Sequence, residues 1–270
     1  MKKLLILSQI LLFTALLSAC GGNDTYKVGA TPVPHAEILN EAKPYMEEKG
    51  FEYDIVEFTD YVLPNSSLAS GELIANFYQH IPYLESQMAD HGYDFVNVGG
   101  VHVEPIGIYS KDYDSIEELP TELELIISNS PSDRPRLLKM LDENDILTLD
   151  DGVENSDIEG SSLSGLNDLF TSDYDITFTE IDAALLFTNY DNNSGDAVLI
   201  NGNYALDNGL DPLTDAIALE GSASPYVNIL VARSEDEDDP FVQALIEVLQ
   251  SEEIATFIEE TYDGAVVPVN

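Results

Sequence analysis

From Lys27 onward, short apolar runs of strand length alternate with longer stretches of helical periodicity. The strand-length pieces are Val28–Ala30, Phe51–Phe58, Leu73–Phe77, Phe95–Val98, Ile106–Tyr109, Leu123–Ile127, Ile176–Phe178, Ala197–Ile200 and Val227–Val231. Between them, Ile38, Leu39, Ala42, Tyr45 and Met46 share one helical face ahead of Gly50. His80–Asp90, Arg136–Leu141, Phe241–Leu249 and Ile254–Ile258 carry the same period. Strands and helices that alternate at this spacing predict an α/β fold with a mainly parallel sheet. Pro44 has no amide hydrogen and is expected to kink the first helix or end its first part. Residues 142–172, acidic and rich in Ser and Gly, have the weakest pattern.

Cys20 is the only cysteine. No internal disulfide can form and no cysteine-based zinc site is available, so stability must come from packing. The hydrophobic fraction of 44% is enough for a real core. Lys2 and Lys3 precede the apolar run Leu4–Leu17, and the small residues Ser18 and Ala19 stand before Cys20. Charge, length and cleavage chemistry are those of a secretory signal, and the run falls short of the ~20 residues of a membrane span. Residues 1–19 are therefore expected to be removed, Cys20 to be lipidated and residues 20–26 to form a tether. The rest of the chain would then sit on the extracytoplasmic face of the cell membrane.

Acidic residues number 51 against 10 basic ones, a net charge of −41. A field this negative repels nucleic acid, which is excluded as a partner class. Enzyme signatures are mostly missing. Gly160-Ser-Ser-Leu-Ser164 lacks the second glycine of a nucleophile elbow. His35-Ala-Glu37 has the H-x-E of zinc deaminases without their cysteines. Asn189, Asp191 and Asn193 have calcium-loop spacing, but the glycine comes one place late and Ile200 stands where the closing carboxylate belongs. There is no P-loop and no G-x-G-x-x-G. Neither a cofactor nor a metal is expected.

In a chain so poor in cations, each of the three arginines calls for an explanation. Arg134 and Arg136 flank Pro135 at a helix start, where a cation opposes the helix dipole and gains nothing locally. A guanidinium there suits bidentate grip of a carboxylate; a charge that screens an acidic surface is the plainer alternative. Arg233 ends a strand and is expected to be structural. Tyr78, His80 and Tyr83 run from a strand end into a helix start, where open α/β sheets place ligand contacts. Taken alone the cluster is ambiguous, since aromatics near a strand end are more often plain packing. Asn201-Gly-Asn203 follows another strand and offers amide acceptors suited to an ammonium. One cation, several amides and an aromatic slot match a zwitterionic amino acid with an apolar side chain.

The segments Val28-Gly-Ala-Thr-Pro-Val-Pro-His-Ala-Glu-Ile-Leu39, Val56-Glu-Phe-Thr-Asp-Tyr-Val-Leu-Pro-Asn65, Gln79-His-Ile-Pro-Tyr-Leu84, Val198-Leu-Ile-Asn-Gly-Asn-Tyr-Ala205 and Ser224-Pro-Tyr-Val-Asn228 closely resemble the NlpA-type methionine-binding lipoproteins of the methionine ABC importer. The similarity spans the whole mature chain. It implies a two-lobed, periplasmic-binding-protein-like α/β fold with a hinge and an interlobe ligand cleft. Lobe one would comprise residues 27–108 plus 226–270, and lobe two residues 109–225. It further implies capture of L-methionine for a membrane permease and no catalysis. Arg136 would bind the carboxylate, Asn201 and Asn228 the head group, and Tyr61, Tyr78, His80 and Tyr83 would surround the thioether. Alternatives are a receptor of the same fold for another amino acid or a methionine-containing dipeptide, and a surface adhesin. The chain departs from the family at three places. Tyr78 replaces a Phe and adds a hydroxyl to the pocket wall. Asp133 replaces an Asn and puts a negative charge near the ligand carboxylate. The Leu-Pro-Arg segment that precedes the Asn-Gly-Asn motif is not recognisable around residues 185–196.

Overall fold

The structure is a computed structural model that describes residues 25–221 and 226–269. The expected signal segment, Cys20, and Ser224 and Pro225 of the last family motif lie outside the described residues. The chain opens on β1 (Tyr26–Ala30), followed by β2 (Tyr53–Glu57), β3 (Ala75–His80) and β4 (Phe95–Val103). Helices Glu37–Glu48, Leu63–Ala69 and Ile81–His91 make the crossovers. The chain then passes to a second sheet with β5 (Gly107–Tyr109) and β6 (Glu122–Ser128). A ribbon of β7 (Thr148–Leu149) and β8 (Phe170–Thr171) interrupts it before β9 (Asp175–Ile181), β10 (Ala197–Ile200) and β11 (Ala218–Leu219). It returns through β12 (Val227–Arg233), helices Pro240–Leu249 and Glu252–Tyr262, and β13 (Val267–Pro268).

The strands form one sheet ordered β13-β4-β12-β3-β1-β2 and another ordered β11-β5-β10-β6-β9. Each packs its own core, the first around Leu39, Met46, Phe77 and Phe241, the second around Leu125, Ile127, Leu138 and Leu141. The result is two α/β lobes. None of the helices among the described residues is long and apolar enough to cross a membrane.

Two expectations are corrected. The sheets are mixed rather than mainly parallel: β1 pairs in parallel with β2 and β3, but β12 runs antiparallel to both β3 and β4. The reason is topological. β4 carries the chain out to the second lobe and β12 carries it back into the same sheet, so the two must run in opposite directions. Pro44 does not break its helix, which is continuous from Glu37 to Glu48. The carbonyl that loses its partner is that of Asn40, one turn back, and both residues are exposed, so the group is open to solvent.

Arg233 has the expected structural role. Its Nη1 donates to the carbonyls of Leu68 and Leu73, each at 2.8 Å, and so ties β12 to the end of the Leu63–Ala69 helix. The carboxyl ends of β3, β4 and β10 point to the crevice between the sheets, and β12 starts there. That is where open α/β folds bind ligands.

Candidate functional site

All seven residues expected to bind ligand (Tyr61, Tyr78, His80, Tyr83, Arg136, Asn201 and Asn228) line one cavity between the two sheets. Gln79, Glu104, Asp133, Gly202 and Asn203 complete its wall. The cavity has a volume of about 30 Å³. Direct bonds close the lobes over it. Tyr61 donates to Asn203 Oδ1 at 2.6 Å, and Tyr204 to the Thr59 carbonyl at 3.3 Å.

The aromatic wall is built on one loop carbonyl. Both Tyr78 and Tyr83 donate their hydroxyls to the Tyr61 carbonyl at 2.9 Å. Their rings stand 6.0 and 6.1 Å from that of Tyr61. Burial pushes all three phenols well above their ordinary range, so they remain neutral donors. The hydroxyl that Tyr78 adds to the wall is therefore tied to main chain, and the pocket meets the ring.

His80 caps the helix that follows β3. Its Nδ1 accepts from the Tyr83 amide at 3.1 Å. That fixes the proton on Nε2, which donates to Asp133 Oδ1 at 3.1 Å across the cleft. Asn201 Nδ2 donates to the other Asp133 oxygen at 3.3 Å. Burial raises the Asp133 carboxyl, but the bonds from His80 and Asn201 and the charge of Arg136 outweigh it, and the group ends below its ordinary range. The negative charge expected at Asp133 is thus present, with both oxygens engaged. Asn201 Oδ1 is buried and has no partner among the described residues.

Arg136 is 5% exposed. Its Nε reaches Glu220 Oε1 at 3.2 Å, Nη2 makes a short bond to Glu220 Oε2, and Nη2 also donates to the Glu104 carbonyl at 3.0 Å. Its Cζ lies 4.5 Å from the Tyr226 ring centre. Burial opposes the charge, yet Glu220 more than compensates and holds the guanidinium protonated. One edge of the expected carboxylate anchor therefore already meets a protein carboxylate. Arg134, the other candidate cation, points elsewhere: it holds Glu180 at 2.7 Å and the Ser161 carbonyl at 2.7 Å.

Beneath Asn228 lies a buried network that the sequence did not reveal. His35 Nε2 stands 3.1 Å from Asn228 Oδ1 and 3.1 Å from Glu104 Oε1, and Thr31 Oγ1 meets its Nδ1 at 2.7 Å. Two acceptors at Nε2 place the proton there, and the Thr31 hydroxyl donates to Nδ1. His102 Nε2 donates to Glu104 Oε1 at 2.6 Å. Burial lowers His35 to about 4 and His102 to about 3, so both are neutral. Glu104 is raised by burial, against the pull of His35 and Arg136. The available signal was the spacing of His102 and Glu104, two residues apart at a strand end and hence on one face.

Gly202 lets this floor form. A Cβ there would stand 2.9 Å from the Pro105 carbonyl oxygen and 3.1 Å from Glu104 Cβ, and main chain cannot yield cheaply. Gly202→Ala should destabilise the protein by about 1–3 kcal/mol. In urea unfolding this would lower the midpoint and leave the slope unchanged.

The NlpA lipoprotein family model matches residues 26–270. The methionine-binding lipoprotein MetQ of Bacillus subtilis is 42% identical, with 100% of both chains covered. The D-methionine-binding lipoprotein MetQ of Escherichia coli is 32% identical over 93% of this chain and 92% of its own. A nutrient binding protein from Burkholderia cenocepacia, solved bound to methionine, superposes with a TM-score of 0.83 at 36% identity, covering 91% of this chain and 100% of its own. In sequence over residues 26–270 and in its two-lobed architecture, the chain belongs to the NlpA lipoprotein family.

Proposed function

We propose that this protein captures L-methionine between its lobes and delivers it to a membrane ABC importer. The observation that carries the proposal is an interlobe cavity in which a guanidinium, an amide oxygen unpartnered among the described residues and three tyrosine rings converge. Methionine would enter with its carboxylate toward Arg136 and its head group against Asn201 and Asn228. Its thioether would lie among Tyr61, Tyr78, Tyr83 and His80, where sulfur–aromatic contact is favourable. The bonds from Tyr61 to Asn203 and from Tyr204 to Thr59 span the two lobes, so a ligand that parts the lobes must break them. Binding is then a hinge motion in which the ligand, by touching both lobes, selects the closed state.

In this proposal the protein catalyses no reaction. Cys20 carries the lipid that holds it at the extracytoplasmic face. A multiply acylated cysteine anchors firmly where a single chain would not. Tethering also keeps the receptor at high effective concentration beside its permease. Isothermal titration calorimetry with L-methionine tests the ligand: saturable one-to-one heat is expected. No heat and no thermal shift with methionine, while another amino acid binds, would remove the assignment.

A further inference from the structure

Among the described residues, three carboxylates border the cleft, and Arg136 is the one Lys or Arg that lines it. Glu104 and Asp133 face the cavity with Arg136, and Glu220 lies behind Arg136. Glu220 engages the guanidinium through both oxygens. Asp133 spends both oxygens on His80 and Asn201. Glu104 is different. Its contacts to His102 and His35 fall on Oε1, and the Asn203 amide also reaches the carboxylate. A carboxylate has about four lone-pair sites, so one acceptor position remains. All of these neighbours except Arg136, which touches the Glu104 main chain, are neutral. The ionised form of a carboxyl 5% exposed is costly, burial accordingly raises Glu104 against the pull of Arg136, and a further cation at the carboxylate would favour the charged form.

A second acceptor stands close by. Asn201 is 7% exposed, its Oδ1 has no partner among the described residues, and its neighbour Gly202 packs directly on the Glu104 backbone.

Resting on the amino-acid reading above, we infer that Glu104 supplies the counter-charge to the ligand's α-ammonium, with Asn201 Oδ1 as the second acceptor. The cleft would thereby select amino acids over the corresponding acids that lack the amino group. His35 and His102 are positioning residues that hold the carboxylate in place from below. A divalent metal on the same trio is the competing use, since ligand atoms of His35, His102 and Glu104 lie within 4.8 Å of one another. His102 argues against it. A metal-binding imidazole gives its other N–H to a partner, and His102 Nδ1 is buried with none. As a bare lone pair opposite an Nε2–H donor, that nitrogen is tolerable.

The test is calorimetric titration of the mature chain with L-methionine and with 4-(methylthio)butanoate, which lacks the amino group. The wild type should prefer methionine by about 100-fold or more. Glu104→Gln, which keeps the shape and still accepts from His102, should lose most of that preference by weakening methionine about 100-fold and leaving the analogue within a few-fold. Glu104→Asp, which keeps the charge, should retain a preference for methionine. If Glu104→Gln weakens both ligands equally, or neither, the ammonium subsite is overturned while methionine capture stands. If the wild type binds no methionine, both proposals fall. Tight zinc binding by the wild type that is lost in Glu104→Gln, with methionine affinity untouched, would assign the trio to a metal instead. Should the Gln variant not fold, an Asp variant without preference for methionine overturns the inference by itself.

Discussion

Arg136→Ala should reduce methionine affinity by about 1,000-fold, because it removes the one Lys or Arg that lines the cleft among the described residues. It should also lower folding stability by about 3 kcal/mol. Breaking a buried ion pair from one side leaves the partner's charge without its counter-ion, and here the partner is Glu220, 9% exposed at its side chain. The Glu104 carbonyl loses a donor as well. These two effects separate in a second variant. Arg136→Met with Glu220→Gln replaces the pair by neutral groups of similar size and should recover most of the stability. It should recover none of the binding. Arg136→Lys is no substitute, since an ammonium cannot span both Glu220 oxygens and still present a planar edge. Urea unfolding alongside calorimetry on the same samples reads both quantities. Full methionine affinity in the neutral double variant would show that Arg136 serves the fold alone.

Phe77→Ala should lower stability by about 3–5 kcal/mol, the usual range for deleting a fully buried aromatic ring. Phe77 is 0% exposed and sits at the centre of the first sheet, opposite Ala30 on β1 and Leu230 on β12. For a chain of this size each kcal/mol moves the melting temperature by roughly 2–4 °C, so thermal unfolding followed by circular dichroism should fall by about 10 °C. The ring has a second duty. It meets the His35 ring edge-on at 4.8 Å and the His102 ring at 5.3 Å. Removing it loosens the imidazoles that orient Asn228 and Glu104, so methionine affinity should drop too. Phe77→Leu should restore most of the stability while leaving part of the binding defect. Equal recovery of both would mean that the ring only fills space.

The periodicity of the chain marked nine of the thirteen strands among the described residues; β7, β8, β11 and β13, each two residues long, are too short to leave a pattern. The misses have physical causes. β4 runs on to Val103, past the expected end at Val98, because Gly99 and Gly100 punctuate the apolar pattern where the β12 pairing shifts register. Pro44 gave a local signal for a break that the exposed position overrode. His35 was set aside as an incomplete zinc motif, although its true partners are Thr31, Asn228 and Glu104. Among site residues, the expected ligand set rested on motif resemblance and on the scarcity of cations, and all of it lines the cavity. The residues that orient this set were not legible.

The sequence alone determined the α/β class, since strand and helix periods are local properties written into neighbouring side chains. It also determined the lack of any internal disulfide, since one cysteine cannot pair with itself. Only the tertiary structure decided that β12 inserts between β3 and β4, that Glu220 meets Arg136 across 84 residues of chain, and that His35 meets Asn228 across 193. Such contacts leave no periodic trace. They arise when two separately folded sheets close on one crevice and bring charges together that burial then forces to find partners.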